Sequence, residues 1–225
     1  MEDSNATFTL LELFRMGGVI MWPLLFFSIA TTAIIIERVI FLAYHSLKVT
    51  GLKEKAAAAM RGEREAREFL ESHTRRGMGA RVLLALVSRA GLSEYRLEKA
   101  AEAEAAKSVS SVESGFSLLT TLASISPLTG FLGTVTGMIA AFRSIAEAAD
   151  VNAQIVASGI YEALITTVFG LVIAIVAMSA HSIFTNIADK FASELEITCS
   201  DLIIEIRETR GCTCNETLKA AKDEN

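Results

Sequence analysis

The chain has 225 residues, 52% of them hydrophobic, with a net charge of −5 and only two prolines. The apolar residues are gathered into long uncharged blocks, which is typical of a membrane protein and argues against a soluble domain. The acidic balance gives no electrostatic footprint for nucleic acid, so we exclude a nucleic-acid partner.

The N-terminal stretch, residues 1–16, is acidic and ends in an amphipathic segment. A cleavable signal peptide begins with positive charge, so we expect the first hydrophobic segment to remain in the protein. The segment FTLLELFRMGG has the pattern of a helix that lies along the membrane surface. We predict an amphipathic, interfacial helix over 1–16.

Three uncharged runs are long enough to cross a bilayer, which needs about 20 apolar residues. We assign transmembrane helices to residues 17–44, 115–142 and 158–188. A short connection, 143–157, joins the second span to the third. The lipid bilayer is therefore an expected partner of the chain.

Charge in the connecting segments predicts the orientation. Residues 45–114 carry 13 Lys or Arg, whereas the connection between the second and third spans carries only Arg143. By the positive-inside rule, 45–114 is a cytoplasmic loop, the N-terminus lies outside and 189–225 is cytoplasmic.

The cytoplasmic segments favour helix. LKEKAAAAMRGEREAREFLES is rich in strong helix formers, and GARVLLALVSRAG is a short amphipathic segment. Ser93 is predicted to cap a helix that runs without interruption into the second span. The third span is expected to continue inward, so that 189–225 forms a helix followed by a disordered tail. The predicted fold is an all-α membrane protein with two spans extended as a cytoplasmic stalk.

The second and third spans each have one face of small residues and an opposite face of bulky apolar residues. The simplest interpretation is that the small faces pack helix against helix. The glycines assigned to this packing are Gly130, Gly133, Gly137, Gly159 and Gly170.

Glu162 is the one carboxylate in the third span. An ionised carboxylate in hydrocarbon costs at least ~2.5 kcal/mol, and such residues mark an ion route or pair with a polar partner. We predict an ion pathway through Glu162, Thr134, Thr166 and Thr167, with a purely structural hydrogen bond as the alternative. The spans contain no basic partner, which favours a homo-oligomer with its small faces turned toward a lumen that an outside helix can occupy.

Other polar features have two interpretations each. His181 is a possible cytoplasmic proton relay or an interfacial side chain. Pro127 is a possible hinge or a static kink. Cys212 and Cys214 belong to a reduced tail or to a soft-metal site, for which two thiolates are too few, and with Cys199 they form no disulfide framework. No cofactor, resident metal or catalytic residue is expected.

Two motifs carry a family resemblance. SPLTGFLGTVTGMIAAF, residues 126–142, and GIYEALITTVFGLVIAIVAMSA, residues 159–180, resemble the second and third membrane helices of the ExbB/TolQ/MotA family, most closely its ExbB/TolQ branch. The three-span layout agrees over most of the chain.

The resemblance implies an ion-driven motor subunit of the bacterial inner membrane, with the N-terminal helix over 1–16 on the periplasmic side. Members form a pentameric ring around a dimeric ExbD/TolR-like partner whose aspartate loads protons. The motor energises TonB-dependent outer-membrane transport or, through a TolA-like protein, envelope maintenance. Thr134, Glu162 and Thr167 match the family's functional polar residues.

Three positions depart from the family pattern. Thr166 stands where alanine is common and adds a hydroxyl, which makes sodium an alternative to protons. Val176 replaces a proline and Ser182 an asparagine near the inner end of the third span.

Three other functions remain as alternatives. A flagellar-type stator is disfavoured because that branch has four spans and a larger inner domain. A membrane scaffold would use its spans only for packing. An intramembrane enzyme has little support, because the chain shows no serine–histidine, paired-aspartate or metal-ligand arrangement.

Overall fold

The computed structural model describes residues 14, 17–45, 49, 51–60, 63–74, 77–89, 91, 93–147 and 153–223. The regular secondary structure within those ranges is helical. In chain order the helices are α1 (Met21–Tyr44), α2 (Leu52–Met60), α3 (Arg64–His73), α4 (Met78–Ser88), α5 (Glu94–Glu113), α6 (Phe116–Glu147) and α7 (Ala153–Asp223).

Among the described residues, three helical stretches are long and apolar enough to cross a membrane. They are α1, a stretch within Tyr95–Glu147 and a stretch within Ala157–Arg207. The predicted all-α architecture is confirmed, with three helices whose length and composition fit the predicted membrane spans. The first helix begins at Met21, four residues later than predicted, because residues 17–20 form a turn.

Two predicted segments lie largely or partly outside the described residues. Of the N-terminal helix predicted over 1–16, only Phe14 is described, and its ring meets that of Trp22 edge-on at 5.6 Å between centroids. In the connection predicted over 143–157, α6 continues to Glu147 and α7 begins at Ala153.

The prediction of one uninterrupted helix from Ser93 through the second span is wrong. α5 ends at Glu113, and a turn precedes α6. Ser114 has a ψ of 130° and Gly115 a φ of +84°, a left-handed conformation that costs glycine little. Ser93 does occupy the N-cap position of α5, but its side chain makes no capping hydrogen bond.

The third predicted span continues as one helix of 71 residues. The structure extends this helix to Asp223, in place of the predicted disordered tail. The residues that follow Cys214, NETLKAAKD, contain several good helix formers and neither proline nor glycine, so nothing in them breaks the backbone pattern.

The chain divides into two compact units. The first unit contains Met1–Arg38 and Gly115–Ile183, and the second contains Val39–Ser114 and Phe184–Asn225. The candidate site residues all belong to the first unit.

In the first unit, α1 packs on α7 through a small apolar cluster. Met21 and Leu24 of α1 meet Ile165 and Ile173 of α7, with Phe169 beside them. The bulky side chains on the other faces of α6 and α7 remain exposed, as an apolar surface that requires lipid or protein to cover it. They include Leu128, Phe131, Ile139, Leu164, Leu171 and Ile175.

In the second unit, α2–α5 pack against one another, and α2 also contacts the C-terminal part of α7. α2 contacts α3 and α4, and α4 contacts α5. Lys53 of α2 forms an ion pair with Asp201 of α7 at 2.6 Å. The buried residues of α7 recur every three or four positions, which makes one apolar stripe along the helix. They are Phe184, Ala188, Phe191, Leu195, Cys199, Leu202 and Ile206.

Candidate functional site

Helices α6 and α7 approach each other so closely that backbone meets backbone. A Cβ added at Gly170 would lie 2.6 Å from the carbonyl oxygen of Ser126, and one at Gly130 would lie 2.8 Å from that of Thr166. Only glycine permits such an approach. The contacts run in opposite directions along the two helices, from Ala141 with Gly159, through Gly137 with Ala163, to Ser126 with Gly170. The helices are therefore antiparallel.

Thr166 lies inside this contact and is only 1% exposed. Its Oγ1 is 2.7 Å from the carbonyl oxygen of Ala163 and 3.3 Å from that of Gly130, to either of which it can donate its single proton. A Cβ added at Gly133 would lie 2.7 Å from the Cβ of Thr166. The structure thus places Thr166 between the two helices, where it packs and bonds to backbone.

Thr167 and Thr134 lie at the edge of the same contact, and both are half-buried. The Thr167 hydroxyl donates to the carbonyl oxygen of Gly130 across the helix pair at 3.1 Å. The Thr134 hydroxyl donates within its own helix to the carbonyl oxygen of Phe131 at 2.7 Å. Each hydroxyl oxygen keeps lone pairs that can accept a further hydrogen bond.

Glu162 is half-buried and points toward the turn that precedes α1. Its Oε1 occupies the space in which a Cβ at position 18 would lie, and its Cδ is 2.9 Å from that point. Gly18 has a φ of +63°. The carboxylate is therefore packed against a glycine turn of another part of the chain, a contact that the sequence pattern did not predict.

The structure separates Glu162 from Thr134 and Thr167. Ala163 and Thr166 face α6. Successive residues turn about 100° around a helix, so Glu162, just before Ala163, and Thr167, just after Thr166, fall on opposite sides of the contact. In antiparallel helices, residues that follow contact positions share a side, so Thr134, which follows Gly133, lies on the side of Thr167. One copy of the chain therefore does not bring all the predicted pathway residues to one place.

Pro127 and His181 lie at or beyond the Ser126–Gly170 end of the helix pair. α6 continues through Pro127, which is half-buried and lacks a backbone N–H for the helical ladder. Next to it, the Ser126 side chain is fully buried, and its hydroxyl donates to the carbonyl oxygen of Leu122 at 2.6 Å. The half-buried His181 ring meets the ring of Phe116 edge-on at 6.2 Å.

Sequence reasoning missed Gly18 and Ser126 as parts of this region. Gly18 stands before the first helix, and nothing in its immediate neighbours indicates that it meets a carboxylate 144 positions later. Ser126 could have been suspected from its place beside the glycine-rich motif. Its contact with Gly170 follows only from the register of the helix pair.

Comparison with known proteins decides the family. The model of the MotA/TolQ/ExbB proton channel family matches residues 63–197, which is more than half of the chain. The chain belongs to this family. An ExbB-like biopolymer transport protein of Synechocystis is 35% identical over 199 residues, which cover 84% of this chain and 78% of that protein.

Two further relatives bear the names ExbB and TolQ. The ExbB biopolymer transport protein of Vibrio cholerae is 29% identical over 196 residues, covering 84% of this chain and 85% of the relative. The Tol-Pal system protein TolQ of Haemophilus influenzae is 42% identical over 76 residues, covering 34% of this chain and 33% of the relative. The MotA/TolQ/ExbB protein described here is thus a membrane protein of a proton-channel family.

The described residues contain no group of three or more His, Cys, Asp or Glu side chains that could hold a metal ion. The side chains of Cys212 and Cys214 lie outside the described part of α7. The soft-metal alternative for these two cysteines therefore stays a prediction.

Proposed function

We propose that this chain is the ring-forming subunit of an ion-driven motor in the bacterial inner membrane, with its N-terminus periplasmic and its C-terminus cytoplasmic. Five copies would surround the helices of a dimeric ExbD/TolR-like partner, which would supply the ion-loading aspartate. The motor would energise TonB-dependent outer-membrane transport.

The observation that carries this proposal is the position of Glu162. It is the one acidic residue in the predicted spans of α6 and α7. Residues 115–142 carry no charge, and 158–180 carry only Glu162. A carboxylate retained at such cost is a functional residue by default. The family provides the function, which is proton conduction.

The separation of Glu162 from Thr134 and Thr167 supports an assembly rather than a single-chain channel. Because the small faces of α6 and α7 are consumed by their mutual contact, they are not free to line a lumen as the sequence predicted. A path that touches both sides of the helix pair needs a second copy or a partner helix. The exposed apolar faces of α6 and α7 provide the surface for such neighbours.

Protons are the proposed ion. The Thr166 hydroxyl was the feature that favoured sodium, but it is buried between α6 and α7 and bonds to backbone oxygens. It therefore offers no ligand to an ion outside the helix pair. His181 remains a proposed relay at the cytoplasmic end of the route, and Pro127 a proposed kink or hinge.

Envelope maintenance is a second candidate for the pathway served. The 42% identity to the Tol-Pal protein TolQ favours this second candidate, but it covers only 76 residues. The match to the ExbB protein of Vibrio cholerae is longer, at 196 residues. Complementation of cells that lack ExbB or TolQ would separate the two. Restored uptake supports the proposal, and restored envelope integrity alone supports the second candidate.

The proposed route is tested by proton flux into liposomes that contain the chain together with an ExbD/TolR-like partner. Glu162→Gln and the double variant Thr134→Ala with Thr167→Ala are expected to reduce flux by roughly tenfold or more while the complex still assembles. Thr136→Ala is the matched control, because this exposed hydroxyl donates only to its own helix. Full flux through the Glu162→Gln variant would show that the route is assigned wrongly.

A further inference from the structure

The turn at residues 17–20 is shaped around the carboxylate of Glu162. Gly18 lies in this turn with a φ of +63°, and its backbone oxygen accepts a hydrogen bond from the N–H of Met21 at 3.3 Å. The turn and the first residues of α1 are held by Met21 and Leu24, which pack into the cluster with Ile165. Glu162 lies one turn before Ile165 on α7, so the same packing brings its side chain to Gly18.

Two independent requirements select glycine at position 18. A φ of +63° is strained for residues that carry a Cβ. In addition, the place of the missing Cβ is filled by Oε1 of Glu162, with Cδ at 2.9 Å and Cγ at 3.7 Å. A side chain at position 18 would have to move the carboxylate, because both cannot occupy the same space.

Steric contact is what locates this carboxylate. No hydrogen bond or ion pair joins Glu162 to another residue within the described part of the chain, so its position depends on the surfaces that surround it. The N–H groups of Met21, Trp22 and Leu24 donate to backbone oxygens of the turn itself, and Pro23 has no N–H, so the start of α1 does not hold the carboxylate by hydrogen bonds.

We propose that Gly18 is a positioning residue for Glu162, and that the glycine turn before α1 holds the carboxylate at its place in the ion route. This inference rests on the proposed function of Glu162. It gives the turn before the first span a role in ion passage. The sequence motifs of the second and third spans give no sign of this role.

The test compares Gly18→Ala with two controls that carry the same backbone strain. Gly51 and Gly115 have φ values of +86° and +84°. A Cβ at position 51 meets nothing within 4 Å, and one at position 115 lies no closer than 3.7 Å to any atom. Replacing each by alanine imposes the left-handed penalty without displacing a carboxylate.

Two measurements are made on the full-length chain. The first is modification of Glu162 by a hydrophobic carbodiimide, followed by mass spectrometry, which needs neither a partner nor ion flux. The second is proton flux in the liposomes described above. Gly18→Ala should release the carboxylate, accelerate its modification and reduce flux by roughly one to two orders of magnitude, as expected for a misplaced reactive group. Gly51→Ala and Gly115→Ala should match the unchanged chain in carbodiimide modification.

Glu162→Asp provides the conservative rescue, because the shorter side chain leaves room for a Cβ at position 18. The double variant Gly18→Ala with Glu162→Asp should conduct as well as Glu162→Asp alone. Additive losses, or an unchanged rate of carbodiimide modification in Gly18→Ala, would overturn the positioning role. Absence of flux from the unchanged complex would instead refute the proposed function, and the carbodiimide result would still decide the contact.

Discussion

For alanine at position 170, the α6–α7 contact and helix propensity predict opposite effects on the stability of the protein. Alanine is a better helix former than glycine by about 1 kcal/mol, so Gly170→Ala would stabilise α7 if position 170 were open. In the structure the new Cβ would lie 2.6 Å from the carbonyl oxygen of Ser126 and 3.2 Å from the Cα of Gly130. These are backbone atoms, which no rotamer change can remove.

The magnitude follows from that distance. Ordinary Cβ contacts begin at 3.4 Å, so the helices must separate locally by about 0.8 Å. The hydrogen bond from the Thr167 hydroxyl to the Gly130 oxygen, now 3.1 Å, would then become too long. Overpacking costs about 1–3 kcal/mol, and an immovable neighbour puts this site at the upper end. After the gain in propensity, the net loss of unfolding free energy is about 2 kcal/mol.

The assay is denaturant-induced unfolding in detergent, followed by circular dichroism, for a graded series of alanine variants. Gly170 and Gly130 face backbone at 2.6 and 2.8 Å, whereas Gly137 faces the Cβ of Ala163 at 3.0 Å. The expected order of destabilisation is Gly170→Ala, then Gly130→Ala, then Gly137→Ala. Gly91→Ala, which meets nothing within 4 Å, is the control. Stabilisation by Gly170→Ala, or an equal effect at Gly137, would refute the close backbone approach.

Two further predictions concern a buried hydroxyl and a buried thiol. Thr31 is 2% exposed, and its Oγ1 has no hydrogen-bond partner among the described residues. Thr31→Val should therefore raise the unfolding free energy by about 1 kcal/mol in the same assay. A loss of that size would contradict this prediction. Burial raises the pKa of the Cys199 thiol, which lies beyond the predicted spans, from 9.0 to about 11. The variant with Cys212→Ser and Cys214→Ser keeps Cys199 as its cysteine. In the folded chain, alkylation of the Cys199 thiol should therefore stay slow at pH 9 and become faster toward pH 11. In the unfolded chain, the alkylation rate should reach half its maximum near pH 9. The neutral thiol likewise contributes stability that is present below pH 9 and lost as the pH rises through 11; a folded-state profile centred near 9 would disprove the burial effect.

The long apolar runs and the small-residue motifs are local properties, and they predicted much of this protein correctly. A run of about 20 apolar residues must form a helix in a bilayer, because every backbone group has to find its partner within the segment. The motifs around Gly133 and Glu162 also identified the family, which the comparison with known proteins confirms.

The helix break at Gly115 was less accessible. Glycine permits both a helical and a left-handed backbone, so its presence in a helical pattern does not decide between them. The structure selects the left-handed conformation, at the boundary between the two compact units. Helix propensity likewise could not decide between helix and disorder for the residues after Cys214.

For the candidate site, the sequence by itself determined which residues are polar, which are small and how they are spaced along each helix. Tertiary structure alone decided how those faces are used. Because α6 and α7 consume their glycine faces on each other, Thr166 becomes a packing residue, and Glu162 is separated from Thr167. The contact between Glu162 and Gly18 joins positions far apart in sequence, and only the packing of α1 on α7 brings them together. Spacing along one helix reports the direction of a side chain, but not what lies opposite it.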